Sequence, residues 1–327
     1  MMGMILLTCI SAFLIALVLG RYLIPLLRAM KAGQSIREVG PEWHNVKAGT
    51  PTMGGIIFIV AALFAIAADW KTIQMGDWTI IYISLFALAF GLIGFADDYI
   101  KVRKKRNLGL TALQKSALQL VVAILYLTAL YRSGRLSCDL YIPFWNVTFE
   151  IPVAVYMLFA VFVIVGAVNA VNLTDGIDGL ATGVTMPVML FFALVAIRWG
   201  DEPVAKYAMA LFGGLAAFLC YNFHPARVFM GDTGSLYLGG AVCGLAFALD
   251  MPLILILVGV IYICETLSVM IQVTYFKLTH GKRVFRMTPI HHHFEMGGWS
   301  EVKIFGVFTA ITIACCVLAW FGVIGRY

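Results

Sequence analysis

Apolar runs of bilayer-spanning length recur along this chain, near residues 4–27, 53–68, 78–96, 116–131, 151–171, 180–197, 205–221, 235–249, 252–276 and 304–324, and most charges are confined between them. A helix of about 20 apolar residues crosses the hydrocarbon core of a membrane. The pattern therefore predicts an all-α polytopic membrane protein of ten transmembrane helices, forming a single integral membrane domain over residues 1–327. Of the 327 residues 62% are hydrophobic and 12% charged. That balance excludes a soluble enzyme and a disordered chain, because neither could keep so much apolar surface in water. A β-barrel is excluded as well, since its strands need only about 10 alternating residues. Six of the seven cysteines lie in apolar runs and Cys138 stands alone in a polar connection, so neither a disulfide framework nor zinc spacing is present. Residues 1–20 lack a basic start and are apolar for too long to be a signal peptide, and they read as the first span.

Lys and Arg are distributed unevenly among the connections. The odd-numbered connections carry 16, against 6 for the even-numbered connections and the C-terminal tail. Positive residues mark the cytoplasmic side, so the odd connections face the cytoplasm and both termini lie outside. The net charge of +6 is thus a topology signal that needs no nucleic-acid partner. Residues 136–150 alternate apolar and polar positions around a Pro-Phe-Trp-Asn turn, which predicts a small external hairpin.

Several polar motifs interrupt the apolar pattern. Asp97 and Asp98 close the third run beside a basic cluster that includes Lys105. Adjacent carboxylates at a helix C-terminus repel each other and the dipole, so a cation, a catalytic role or neutralisation by the neighbouring lysines must compensate. Asn172, Asp175 and Asp178 recur every third residue, which would align oxygen acceptors on one helical face, while Gly176 and Gly179 let a ligand approach the backbone. Such acceptors suit magnesium, sugar hydroxyls or a base edge, although a solvated Gly-rich turn has the same composition. Phe229-Met-Gly231-Asp232-Thr-Gly-Ser235 precedes the eighth run. Thr233 or Ser235 as a helix cap would leave N–H groups for a phosphate, with a divalent cation between phosphate and Asp232. The alternative is a simple capped turn.

His291, His292 and His293 follow Thr288-Pro289 in a basic loop. Neighbouring side chains diverge, so contacts to phosphate suit them better than a shared zinc. Lys47 and Thr52 flank the start of the second span, where Thr50 or Thr52 would also serve as a plain helix cap. Glu265 and Gln272, two turns apart, form a polar stripe on the ninth run that must face protein or water. All five loop motifs, around Lys47, Asp97, Asp175, Asp232 and His291, fall in or beside odd connections. They predict one cytoplasmic-face, metal-dependent site for a multiply phosphorylated substrate and, at the bilayer edge, a lipid partner.

These residues resemble the phospho-N-acetylmuramoyl-pentapeptide transferase (MraY) family of the polyprenyl-phosphate N-acetylhexosamine-1-phosphate transferase superfamily. The resemblance runs from Gly49 to Glu301. Asp97-Asp98, Asn172–Gly179 and Phe229–Ser235 look like superfamily motifs, and Gly49–Gly55 and Thr288–Glu301 like those of the muramoyl branch. It implies transfer of phospho-MurNAc-pentapeptide from UDP-MurNAc-pentapeptide to undecaprenyl phosphate, giving lipid I and UMP, in the bacterial cytoplasmic (inner) membrane. It also implies ten helices with a bent ninth helix beside a carrier-lipid groove, a homodimer, and sensitivity to uridine-containing nucleoside inhibitors.

Carried over by motif, Asp232 would bind Mg2+, and Asp97, with Asp98 beside it, would lie nearest the attacking lipid phosphate. Asn172, Asp175, Asp178 and Phe229 would form the uridine pocket, with Phe229 stacked on uracil. His291 would join the catalytic set, and His292 and His293 would meet phosphate or sugar. Lys47, Thr52, Lys105, Asn222, Gly231 and Gln272 complete the expected substrate contacts. Direct attack by the lipid phosphate and an aspartyl-phosphate intermediate on Asp97 or Asp98 both remain open. A GlcNAc-1-phosphate transferase of the same superfamily is the nearest rival, and the Thr288–Glu301 stretch opposes it. A secondary transporter would instead place its sites near the midplane.

Overall fold

The computed structural model describes residues 2–30, 49–67, 77–104 and 108–326. Each apolar run is helical: α1 (Met2–Ala29), α2 (Gly55–Ala67), α3 (Thr79–Lys104), α4 (Ala112–Arg132), α5 (Val153–Thr174), α6 (Leu180–Trp199), α7 (Glu202–Asn222) and α8 (Gly231–Ala248) come first. A 3-10 turn (Pro252–Ile254), α9 (Leu255–Val258), α10 (Val260–Leu278), α11 (Ile290–Glu295) and α12 (Glu301–Val323) follow. Local signals explain several ends. Thr111 and Gln114 form a reciprocal capping box at α4, Asp201 and Ser300 cap α7 and α12, and Gly200 ends α6 in the left-handed conformation.

Among the described residues seven helices are long and apolar enough to span a bilayer, or eight if the bent pair Pro252–Val258 and Val260–Leu278 is one span. That pair meets at 81° on Gly259, as expected for the ninth run. Two other runs differ from a standard span. The described α2 has 13 residues, and α8 is buried at every residue from Thr233 to Ala248. A helix enclosed by protein needs close packing more than hydrophobicity, and α8 is accordingly rich in small residues. A Cβ on Gly94 of α3 would overlap the Asp232 carbonyl, and one on Gly55 of α2 would overlap Gly234. These contacts press α2 and α3 onto the start of α8.

The predicted hairpin is present. Strands β1 (Asp139–Ile142) and β2 (Val147–Glu150) pair antiparallel, with Asp139 opposite Glu150 and Ile142 opposite Val147. The Phe144 N–H donates to the Gly322 carbonyl at 2.8 Å, seating the turn on the end of α12. At the same end of the bundle Arg135 bridges Asp77 and Asp201, at 2.6 and 2.7 Å. The opposite end gathers the C-termini of α3 and α5 with the N-terminus of α8, and there the polar motifs meet.

Candidate active site

Asp97 and Asp98 sit in the last two turns of α3, followed by Lys101, Arg103 and Lys104, which suit the negative end of the helix. The two aspartates turn to different tasks. Asp98 Oδ2 accepts the Thr233 N–H at 2.9 Å and the Thr233 hydroxyl at 2.7 Å, while its Oδ1 accepts the Asp232 N–H at 3.3 Å. Asp98 therefore caps α8 from another helix. This corrects the expectation that Thr233 or Ser235 caps α8: the helix begins earlier, at Gly231, and Ser235 Oγ donates back to the Gly231 carbonyl. The N–H groups expected to receive a phosphate already serve a carboxylate. Gly231 is required here, because its φ is 70° and a side chain would meet Asp98 and Thr52.

Asp97 Oδ1 accepts the Leu110 N–H at 2.7 Å, and its Oδ2 pairs with Lys101. Carboxylate oxygens of Asp97, Asp98 and Asp232 lie within 4.8 Å of one another. Lys101 Nζ stands 3.2 Å, and Lys115 Nζ 2.9 Å, from Asp232 Oδ2. The Asn172 amide donates to Asp232 Oδ1 at 2.9 Å and to Ser235 Oγ at 2.8 Å, and its oxygen receives Lys115 at 3.4 Å. Three carboxylates against two ammonium groups leave the cluster one negative charge, and its oxygen donors suit a hard divalent cation.

Asn172, Asp175 and Asp178 do not share one helical face as the spacing predicted. Helix α5 ends at Thr174, and a turn whose Gly179 has a φ of 74° sends Asp178 away from Asn172. Asp175 lies between the two. Burial, then the charges of Asp232, Asp98 and Asp178, push its carboxyl well above the ordinary carboxylate range. Asp178 reaches the α7–α8 loop instead, where its Oδ2 lies 3.0 Å from His224 Nδ1 and accepts the Ala226 N–H at 3.0 Å. Its own N–H donates to Glu301 Oε2 at 2.9 Å. Asp178, His224 and Glu301 are a second group of donors within 4.8 Å.

That loop is tied down at several further points. Asn222 is buried, accepting from Thr182 at 2.9 Å and donating to the Val228 carbonyl at 3.0 Å, so both ends of its amide hold the scaffold. The Phe229 N–H donates to the Pro51 carbonyl at 2.9 Å, and the Phe229 and Met230 carbonyls receive the N–H groups of Gly54 and Gly55. Backbone carbonyls thus satisfy the start of α2, and neither Thr50 nor Thr52 caps it. The Phe229 ring is left half-buried at the edge of the site.

The histidine motif forms α11, where the three rings diverge. His291 is fully buried, with Nδ1 3.0 Å from Glu265 Oε2 but off the hydrogen-bond axis, and its ring packs against Gly176. His292 pairs with Glu295 at 2.8 Å, and His293 Nδ1 accepts the Arg286 N–H at 3.1 Å. Gln272 accepts the N–H groups of Val284 and Phe285 at 3.1 and 2.9 Å, pinning the loop that leads to α11. The polar stripe on α10 is therefore a pair of anchors. Lys47 and Lys105 lie outside the described residues.

Lys115, His224 and Glu301 reach this region without having been singled out by their residue patterns. Lys115 did carry a signal: a lysine in the first turn of α4 opposes the helix dipole and calls for an anionic partner. His224 and Glu301 have no such local mark.

A sequence model of Glycosyl transferase family 4 matches residues 78–250, and phospho-N-acetylmuramoyl-pentapeptide-transferase signature 1 matches residues 47–59. A phospho-N-acetylmuramoyl-pentapeptide-transferase of Clostridium acetobutylicum is 46% identical over 99% of this chain and 100% of its own length. Proteins of the same name from Clostridium beijerinckii and Acetivibrio thermocellus are 49% and 48% identical, each over 95% of this chain and 94% and 93% of their own lengths. Signature, family model and full-length similarity agree with a multi-pass membrane transferase of peptidoglycan synthesis, and the chain belongs to the phospho-N-acetylmuramoyl-pentapeptide-transferase family.

Proposed function

We propose that this chain transfers phospho-MurNAc-pentapeptide from UDP-MurNAc-pentapeptide to undecaprenyl phosphate, producing lipid I and UMP with Mg2+ as cofactor. The observation that carries this reading is the meeting of Asp97, Asp98 and Asp232 from two helices, with Lys101 bridging them and Lys115 paired to Asp232. In this reading the chain is one ten-span domain, a homodimer in the bacterial cytoplasmic membrane, with both termini outside and the site facing the cytoplasm. The excess of Lys and Arg in the odd connections supports that orientation.

An oxygen of the acceptor phosphate attacks the β-phosphorus, the one bonded to the sugar, as the bond from that phosphorus to the UMP oxygen breaks. UMP leaves as an anion and the new bond is a diphosphate, so no oxidant or reductant enters. Lys115 and Lys101 neutralise charge on the two phosphates, and Asn172 with Ser235 orients Asp232. Magnesium, held by Asp232 with Asp97 beside it, would supply further neutralisation of the leaving group. Two features favour direct attack over an aspartyl-phosphate. Asp98 is committed to capping α8, and both oxygens of Asp97 are already engaged, by Leu110 N–H and Lys101. Phe229 and the Asp175–Asp178 turn receive the uridine end, and His292 and His293 stand toward phosphate or sugar.

The test is product formation by the purified chain in lipid nanodiscs. Lipid I and UMP should appear one to one when magnesium and both substrates are present. Transfer of GlcNAc-1-phosphate instead would move the chain to another branch of the superfamily. Exchange of labelled UMP into the donor without lipid acceptor would overturn direct attack.

A further inference from the structure

Asp178, His224 and Glu301 come from three separate segments: the α5–α6 turn, the α7–α8 loop and the first turn of α12. Asp178 and Glu301 are buried, at 3% and 8% exposure. Their polar atoms are turned on one another. A carboxylate can only accept, so His224 Nδ1 carries the proton in its 3.0 Å contact with Asp178 Oδ2, which also receives the Ala226 N–H. Glu301 Oε2 receives the Asp178 N–H at 2.9 Å and lies 3.7 Å from His224 Nδ1. One turn along α12, Phe305 meets Phe223 edge to face at 5.2 Å and packs over Gly179 and Gly183. One face of α12 therefore grips both the turn that presents Asp178 and the loop that presents Phe229.

We infer that Glu301 and His224 are positioning residues that set affinity for the nucleotide half of the donor by clamping the Asp178 turn to the Phe229 loop. This rests on the reading of Asp178 and Phe229 as the uridine end of the site. Neither residue belongs to the carboxylate cluster around Asp232, so the clamp acts on donor binding and leaves the phosphoryl-transfer step alone. The same three side chains have the composition of a metal site, but their ligand atoms are already joined by hydrogen bonds to each other and to the backbone, which favours the clamp.

The experiment uses the full chain in nanodiscs, with UMP as the binding probe and steady-state rates for both substrates. Glu301→Ala should weaken UMP binding and raise the donor KM about tenfold, the scale of one lost hydrogen bond to a charged group, while kcat and acceptor KM move less than about twofold. Glu301→Gln should recover most of that loss, because its amide oxygen still accepts the Asp178 N–H. His224→Ala should raise the donor KM about three- to tenfold. An unchanged donor KM in Glu301→Ala and His224→Ala, or a fall in kcat alone, would overturn the clamp. Saturable binding of Zn2+ that disappears in His224→Ala would also overturn it, in favour of a metal centre. Phe229→Ala separates the two layers: if it weakens UMP while Glu301→Ala does not, the clamp fails and the pocket stands. If Phe229→Ala leaves UMP binding intact, the pocket itself is wrong.

Discussion

Asp98 of α3 holds the first turn of α8 by accepting both the backbone N–H and the hydroxyl of Thr233, at 2.9 and 2.7 Å. A carboxylate at a helix N-terminus is favoured by the dipole, and here it fixes where Asp232 stands, one residue before Thr233. Asp98 thus serves the site by placing another aspartate.

Asp98→Ala should remove about 2 kcal/mol of stability, from lost hydrogen bonds to a charged group and a lost cap, and should abolish turnover. Thermal unfolding in detergent, followed beside the transfer assay, checks both. An active Asp98→Ala protein with unchanged unfolding temperature would contradict the capping role.

Lys115 joins α4 to the site by pairing with Asp232 and Asn172. Lys115→Gln should lower kcat by about 100-fold or more, since in the proposed reaction it removes one of the two cations that neutralise the phosphates, while UMP affinity changes much less. A loss confined to UMP affinity would place Lys115 in nucleotide binding instead.

Asp175 supplies a pH test whose sign follows from its raised pKa. Unfolded, an aspartate titrates near about 3.9, so from there upward the folded state retains a proton that the unfolded state has released. Stability is fully present below that value and declines as pH rises toward the folded pKa. Asp175→Asn, always neutral, should therefore raise the unfolding temperature at neutral pH in chelator, with the gain vanishing near about pH 4. Equal unfolding temperatures at both pH values would show that the carboxyl carries no such penalty.

Gly94 lies where α3 crosses the start of α8, and a Cβ there would overlap the Asp232 backbone. Gly94→Ala should cost at least about 1–3 kcal/mol and separate Asp97 and Asp98 from Asp232, because backbone cannot yield as a side chain does. Wild-type activity and unfolding temperature in this variant would mean that the helices are less tightly joined.

Much of this arrangement is legible in the sequence because its signals are local. Apolar runs mark the helices, Asp97-Asp98 is conspicuous at the end of one, and the lysine and arginine asymmetry groups motifs that prove to be in contact. What escapes the sequence is long-range. Asp98 and Thr233 are 135 residues apart, and Asp178 and Glu301 are 123 apart, so no window of residues shows that one caps or holds the other. Hydropathy shows only that α8 falls short of the apolarity of a spanning segment; that protein encloses it is a matter of packing, which no window of residues shows. The triplet spacing of Asn172, Asp175 and Asp178 misleads because the helix stops between them.

The decisive measurement is Mn2+ binding to the full chain, read by electron paramagnetic resonance with Mn2+ standing in for magnesium. One ion per chain should bind in the wild type, be lost in Asp232→Asn, and persist in His224→Ala. Retention of the ion by Asp232→Asn, or its loss in His224→Ala alone, would contradict a cation held where α3 meets α8.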